Sequence, residues 1–412
     1  MTTTRRDFLQ LLGTAGIVSL GAIPPQFLAR AAHAAPGIAA RDKRVLVLIQ
    51  LAGGNDGLNT LVPFADPAYE KARPGIGIPK GQVLKLNDSV GLHPGLSGMR
   101  ELYDEGKLAI VQGVGYPNPD RSHFRSMDIW QSAQPLNETP RDGWLGRALE
   151  WQFDRQPALA EALSLGTDKL PLAFVSTRVN VPTLRRLEEF QLVDGQASAA
   201  NRNLTRAAQR QLADLPAANG SELNFLRRAT TTALTSAERL KSLSSSYRTT
   251  VSYPGTSLAN KLKLIAQMLT ADLPARIFVV SLDGFDTHSQ QLPGHAALMA
   301  ELSGAIRAFE QDLVEHKLSD RVLLATYSEF GRRVAENGSL GTDHGAASML
   351  FAVTPSGKSG LYGKYPNLTD LTDGDLKFNV DFRSVYATML DKWLEIPSAG
   401  ILGGDFSPIP IV

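Results

Sequence analysis

Residues Arg276–His288 read RIFVVSLDGFDTH, and the reading of this stretch decides the fold. Ile277–Val280 is an apolar run rich in β-branched residues, which predicts a strand buried on both faces. The Gly-punctuated loop behind it presents Asp283, Asp286 and His288. Open α/β sheets bind ligands beyond the carboxyl ends of their strands. Asp and His together are metal ligands. The loop is therefore expected to form one wall of a metal site, with other strand ends supplying the rest.

Working outward, the same pattern recurs. Arg44–Leu51 (RVLVLIQL) predicts a strand and is followed by Gly53-Gly54-Asn55-Asp56-Gly57. Leu108–Val111, Val322–Thr326 and Met349–Val353 predict further strands. Between them, apolar residues recur at helical spacing over Leu96–Glu105, Trp144–Phe153, Leu258–Leu269, Leu298–Leu313 and Phe382–Leu394. Alternating strands and crossover helices predict an α/β fold, with a central mostly parallel sheet and helices on both faces. Residues 196–247 are rich in Ala, Arg, Gln, Ser and Thr with no strand-like run, so they are expected to form a polar helical insertion in a single domain spanning 35–412.

The first 34 residues read differently. Arg5 and Arg6 form a basic region, Phe8–Leu20 a short apolar run, and Ala32-His33-Ala34 a small-x-small cleavage site. The run falls short of the ~20 residues needed to cross a bilayer, so an export signal is expected rather than an anchor, and no stable span in the mature chain. Arg5-Arg6-Asp7-Phe8-Leu9 resembles a twin-arginine signal, with Gln10 where Lys is more usual. That resemblance implies the twin-arginine translocation machinery as a partner, export in the folded state and a periplasmic or extracellular location.

The chain of 412 residues carries a net charge of +1 with the two signs interspersed, which argues against a nucleic-acid partner. It has no cysteine, so disulfides are excluded and the metal donors available are His, Asp, Glu and hydroxyl oxygens.

Four clusters carry candidate chemistry. Asp56 sits among glycines that allow close backbone approach, as a metal ligand or as plain turn chemistry. Ser122 opens a predicted helix, as an N-cap or as a nucleophile or binder of an anionic group beside the helix dipole. His123 follows it, one of seven histidines. Asp286 and His288, two apart in an extended loop, point the same way and suit one cation. Glu329 follows a predicted strand, as a ligand or as a partner of Arg332 or Arg333, and Asp343-His344-Gly345 places two more donors where the chain bends. There is no GxSxG elbow, P-loop, GxGxxG after the first strand or HExxH.

In this order, Gly53–Gly57, Ser122-His123-Phe124, Gly284–His288, Ser328–Arg332 and Asp343–Gly345 resemble a bacterial family of twin-arginine-exported proteins of unknown function within the alkaline phosphatase/sulfatase superfamily. The resemblance runs from about residue 44 to the C-terminus and includes Asp381–Tyr386. It implies an alkaline-phosphatase-like three-layer sandwich that hydrolyses phosphate or sulfate esters at one or two divalent metals, Zn, Mn or Ca. Carried over by position, Asp56, Asp286, His288, Glu329, Asp343 and His344 would hold metal. Ser122 would attack or orient the ester, with His123 or Arg332 stabilising charge. Two readings follow: an exported metal-dependent hydrolase acting on a small ester or glycan, and a non-catalytic secreted binding or scaffold protein on the same fold.

Overall fold

A computed structural model describes residues 44–134, 140–155, 162–166, 169–179, 181, 183–184, 247–273, 275–355 and 357–412. The expected export signal and nearly all of the expected insertion at 196–247 lie outside the described residues. The chain divides into two units. The larger comprises 39–183, 249–270 and 275–412, the smaller 1–38, 184–248 and 271–274. The sheet, its helices and the candidate site all belong to the larger.

The five predicted apolar runs become strands of one sheet, β1 (Val45–Ala52), β2 (Leu108–Gly115), β4 (Ile277–Asp283), β5 (Val322–Tyr327) and β6 (Ser348–Val353), joined by three that the sequence reading does not predict, β3 (Ala162–Leu165), β7 (Gly360–Tyr362) and β8 (Val380–Asp381). They lie in the order β7-β2-β6-β5-β1-β4-β3, with β8 also beside β2. β1 is central and parallel to both neighbours, Ile49 pairing with Val280 of β4 and Thr326 of β5. β3 runs parallel to β4, and β7 and β8 parallel to β2. β6 runs against both β5 and β2, so β2 points the same way as β5. The sequence predicts β6 as a strand but not its direction.

Strand residues alternate between faces. On one face Leu46, Leu48, Val111, Ile277, Val279, Leu323, Ala325 and Leu350 pack into a buried cluster with helices α4 (His123–Ser132), α5 (Trp144–Arg155) and α8 (Phe382–Ala387). Stacked rings lock this layer, Trp130 on Phe382 at 4.4 Å and Trp144 on Tyr386 at 4.2 Å between centroids. Val47, Ile49, Phe278, Val280 and Leu324 point the other way and are equally buried. The helices of that layer are α3 (Ser97–Asp104), α6 (Ser257–Thr270) and α7 (Gln291–Glu315). They bury the stripes the sequence predicts, among them Leu262, Ile265 and Leu269 of α6 and Leu302, Ile306, Phe309 and Leu313 of α7. The fold is thus a three-layer α/β sandwich around a mostly parallel sheet. Two short helices, α1 (Gly57–Thr60) and α2 (Pro67–Ala72), follow β1. Among the described residues no helix is long and apolar enough to cross a membrane.

Candidate functional site

β1, β2, β4 and β5 all run the same way, so the loops leaving their carboxyl ends open on one edge of the sheet. Those loops carry Gly53–Asp56, Arg121–His123, Asp286–His288 and Ser328–Arg332. The loop after β1 can lie flat on the loop after β4 because Gly53 has φ +119°. A Cβ there would stand 2.4 Å from the Asp286 nitrogen.

Three imidazoles converge on one carboxylate oxygen. Asp286 Oδ1 lies 3.0 Å from His288 Nε2, 3.2 Å from His344 Nε2 and 3.5 Å from His123 Nε2. His288 Nε2 and His344 Nε2 are 2.9 Å apart. The donor atoms of His123, Asp286 and His344 all lie within 4.8 Å of one another, a spacing that admits a metal ion. Ligands at tetrahedral bond lengths of ~2.0–2.1 Å stand about 3.3 Å apart, and the distances from Asp286 Oδ1 to the three rings, 3.0–3.5 Å, lie around that value.

The second nitrogen of each ring is held from behind. Glu329 Oε1 lies 2.9 Å from His123 Nδ1 and also accepts the Gly53 N–H at 2.8 Å. The Arg121 carbonyl lies 2.8 Å from His344 Nδ1, and Asp343 Oδ1 3.5 Å from His288 Nδ1. Carboxylates and carbonyls only accept here, so they favour the ring proton on Nδ1 and leave the Nε2 lone pairs facing inward. Inward-facing lone pairs repel unless a cation lies between them. His123 Nε2 is buried with no hydrogen-bond partner among the described residues, an orphan pointing at this centre. The residues present therefore fit a bound metal.

Electrostatics suit ligation. Burial would raise the Asp286 pKa, but the hydrogen bond and charge of Arg332, with the neighbouring His344 and His288 rings, override it and hold the carboxyl at about 2. Burial lowers the His344 pKa against the opposing pull of Asp286 and the Arg121 carbonyl, which favours the neutral, ligating ring. Phe330 floors the site, its ring 4.9 Å from His123 and 4.7 Å from His344.

The other sequence candidates take different places. Asp56 stands outside the converging group, because its carboxylate is already committed. Oδ1 caps α1, accepting from Leu58 and Asn59, while Oδ2 accepts from Arg73 Nη1 at 2.6 Å and Gln291 Nε2 at 2.5 Å. Burial would raise its pKa, but the Arg73 charge and hydrogen bond hold it below the usual range. Glu329 and Asp343 stand one step behind the histidines rather than among the converging donors. Arg332, expected to stabilise substrate charge, is 1 % exposed with its guanidinium consumed by protein oxygens. It donates to the carbonyls of Gly53, Gly54, Phe285 and Thr342 and to Asp286 Oδ1, so it clamps three loops together. Ser122 is exposed at the N-cap of α4, and its side chain makes no capping bond.

Sequence reasoning missed Arg73, Gln291, Phe330 and the Arg121 carbonyl. Phe330, an apolar residue inside a polar loop, carried a readable signal; a backbone carbonyl carries none. Gln291 links the buried Asp56 to the histidine loops, accepting from Thr287 at 3.0 Å and Thr342 at 2.7 Å.

A family profile described as "Protein of unknown function (DUF1501)" matches residues 42–393. No curated protein matches the chain. Among solved structures it is similar to Ps i-CgsB in complex with k-i-k-neocarrahexaose, at 10 % identity over 88 % of this chain and 75 % of that one, with a TM-score of 0.41. It is similar to the PsFucS1 sulfatase from Pseudoalteromonas sp., at 11 % identity over 93 % and 74 % of the two chains, TM-score 0.39. It is also similar to a protein in the alkaline phosphatase superfamily from Vibrio parahaemolyticus, at 8 % identity over 92 % and 76 %, TM-score 0.39.

Proposed function

The chain belongs to the DUF1501 family, and on that premise we propose that it is an exported metal-dependent hydrolase of phosphate or sulfate esters. One observation carries the reading: three imidazole Nε2 atoms face one carboxylate oxygen, each ring backed through Nδ1 by a further oxygen. His123, Asp286, His288 and His344 would hold a divalent ion, which when bound supplies electrophilic polarisation of an ester. A donor set of three nitrogens and one oxygen suits Zn better than Mn or Ca, which favour oxygen ligands.

The chain's own residues do the rest. Glu329 keeps the His123 proton on Nδ1 and fixes the ring. Arg332 fixes the loops and holds Asp286 ionised. The N-terminus of α4 offers unpaired backbone N–H groups and a dipole that favour an anionic ester group. Ser122, uncapped and exposed there, is the nucleophile or orienting hydroxyl. Phe330 keeps water from beneath the rings.

The test is a panel of phosphate and sulfate monoesters offered to the zinc-supplied chain. Turnover is expected, reduced at least ~100-fold in His344→Ala. A second reading, a non-catalytic binding or scaffold protein for glycans, is favoured by one fact: among the described residues no side chain hydrogen-bonds the Ser122 hydroxyl, so no base is in place. Glycan binding without turnover of any ester selects it. Export by the twin-arginine route predicts that a chain with Arg5→Lys and Arg6→Lys stays in the cytoplasm; unchanged export contradicts that part.

A further inference from the structure

The loops that bring the histidines together also bring two arginines whose side chains the candidate site leaves unused. Arg121 stands two residues before His123, and its carbonyl backs His344. Arg333 follows Arg332; its N–H donates to the Asp343 carbonyl at 3.1 Å, and its own carbonyl accepts from Arg73 Nη2 at 2.9 Å. The backbones of both arginines are therefore fixed by the framework that fixes the histidines.

Their side chains meet at Asp375. Arg121 grips Oδ2 through Nε at 2.7 Å and Nη2 at 2.6 Å. Arg333 Nε lies 3.7 Å from Oδ1, too far for a hydrogen bond, and neither of those two atoms has a hydrogen-bond partner among the described residues. Asp375 is 5 % exposed at its side chain, whereas each arginine is 38 % exposed.

A structural ion pair tying the turn at 371–376 to the loop before α4 would be complete with Arg121 alone. Adding Arg333 sets a second cation beside the first, and one carboxylate neutralises only one of them. The other acids nearby have other work. Asp343 is engaged first by Asn337 and His288 and feels the Arg333 charge without an ion pair to it, and Asp373 is exposed and meets Arg121 through its carbonyl. Arg333 thus keeps a buried Nε with no hydrogen-bond partner among the described residues on a guanidinium whose side chain is part exposed, and a guanidinium binds phosphate or sulfate through paired N–H groups. Among the described residues its side chain meets Asp375 and forms no hydrogen bond or ion pair with the four converging residues, so it is a group apart from them.

We propose that Arg333, braced against Arg121 by Asp375, forms a second anion subsite, so that the substrate carries a phosphate or sulfate group besides the one cleaved. This rests on the ester-binding reading above and narrows it to polyanionic esters.

The test is calorimetric titration of the full zinc-supplied chain with glucose 6-phosphate and glucose 1,6-bisphosphate. Glucosamine 6-sulfate and its 2,6-disulfate serve as the sulfate arm. In one arm or the other the doubly charged ligand is expected to bind roughly tenfold tighter, and the arm that does so identifies the anion. Arg333→Gln should erase that preference while leaving the singly charged ligand unaffected, and Arg333→Lys should restore part of it. Equal affinity for the mono- and dianionic members of both pairs overturns the subsite and leaves the ester-binding reading standing. So does an Arg333→Gln variant that weakens both members equally. Failure of every ligand to bind overturns both.

Discussion

At the scale of single residues, the site is decided by what each polar atom already touches. Asp56 and Asp286 look alike in sequence, each an acid in a Gly-punctuated loop after an apolar strand. Asp286 keeps an oxygen facing three imidazoles; Asp56 spends both on Arg73, Gln291 and a helix cap. Nothing local separates them, since Gln291 is 235 positions from Asp56 in the chain. Asp56→Asn should therefore leave metal affinity unchanged while stranding the buried Arg73 charge, a loss of about 3–5 kcal/mol in urea unfolding. Metal affinity falling with no loss of stability would place Asp56 among the ligands instead. Glu329→Gln should keep the fold but loosen His123, weakening metal about 10–100-fold in a chelator competition. Unchanged affinity would remove Glu329 from the site.

At the scale of elements, the sequence was legible where periodicity was strong. The stripe Leu258–Leu262–Ile265–Leu269 became α6, and the runs around Ile277 and Val322 became the parallel strands that flank β1 on either side. β3 was not legible: Ala162–Leu165 has no β-branched residue and is a strand because it lies beside β4. The direction of β6 was equally hidden, since a buried run reads the same both ways. Also invisible was the meeting of His93, ahead of α3, with His295 on α7, their rings 5.5 Å apart edge to face. Burial pushes both down to about 4. Their unfolded values lie near ~6.5, so below that pH the unfolded chain takes up protons first. The neutral rings contribute stability that is complete above pH ~6.5 and is lost as pH falls towards about 4. That loss is on the order of 3 kcal/mol for each ring before coupling. The denaturant midpoint measured from pH 7 to 4 should fall through this window, and a flat profile would contradict the assignment. His295 Nε2 lies beside Asn55 and Thr60, and His93 Nδ1 accepts from the Gly95 N–H, so neither ring is among the converging donors.

At the scale of the whole molecule, the sheet does one thing for function: it sets four loops from distant parts of the chain on a single edge. The sequence announced that edge through acids and histidines placed just past apolar runs. It could not announce the order of approach, with ligand-facing atoms in front, Nδ1 partners behind and Arg332 clamping the loops, because that order depends on contacts across 46–58 positions or more. A cation shared by the three loops that carry His123, Asp286 with His288, and His344 should stabilise the fold by mass action. The most direct measurement is elemental analysis of the folded, full-length chain after zinc exposure and exhaustive dialysis, beside a folded His344→Ala variant. The account predicts about one ion per wild-type chain and almost none in the variant. A folded wild-type chain holding no metal, or a variant holding as much as the wild type, would contradict it.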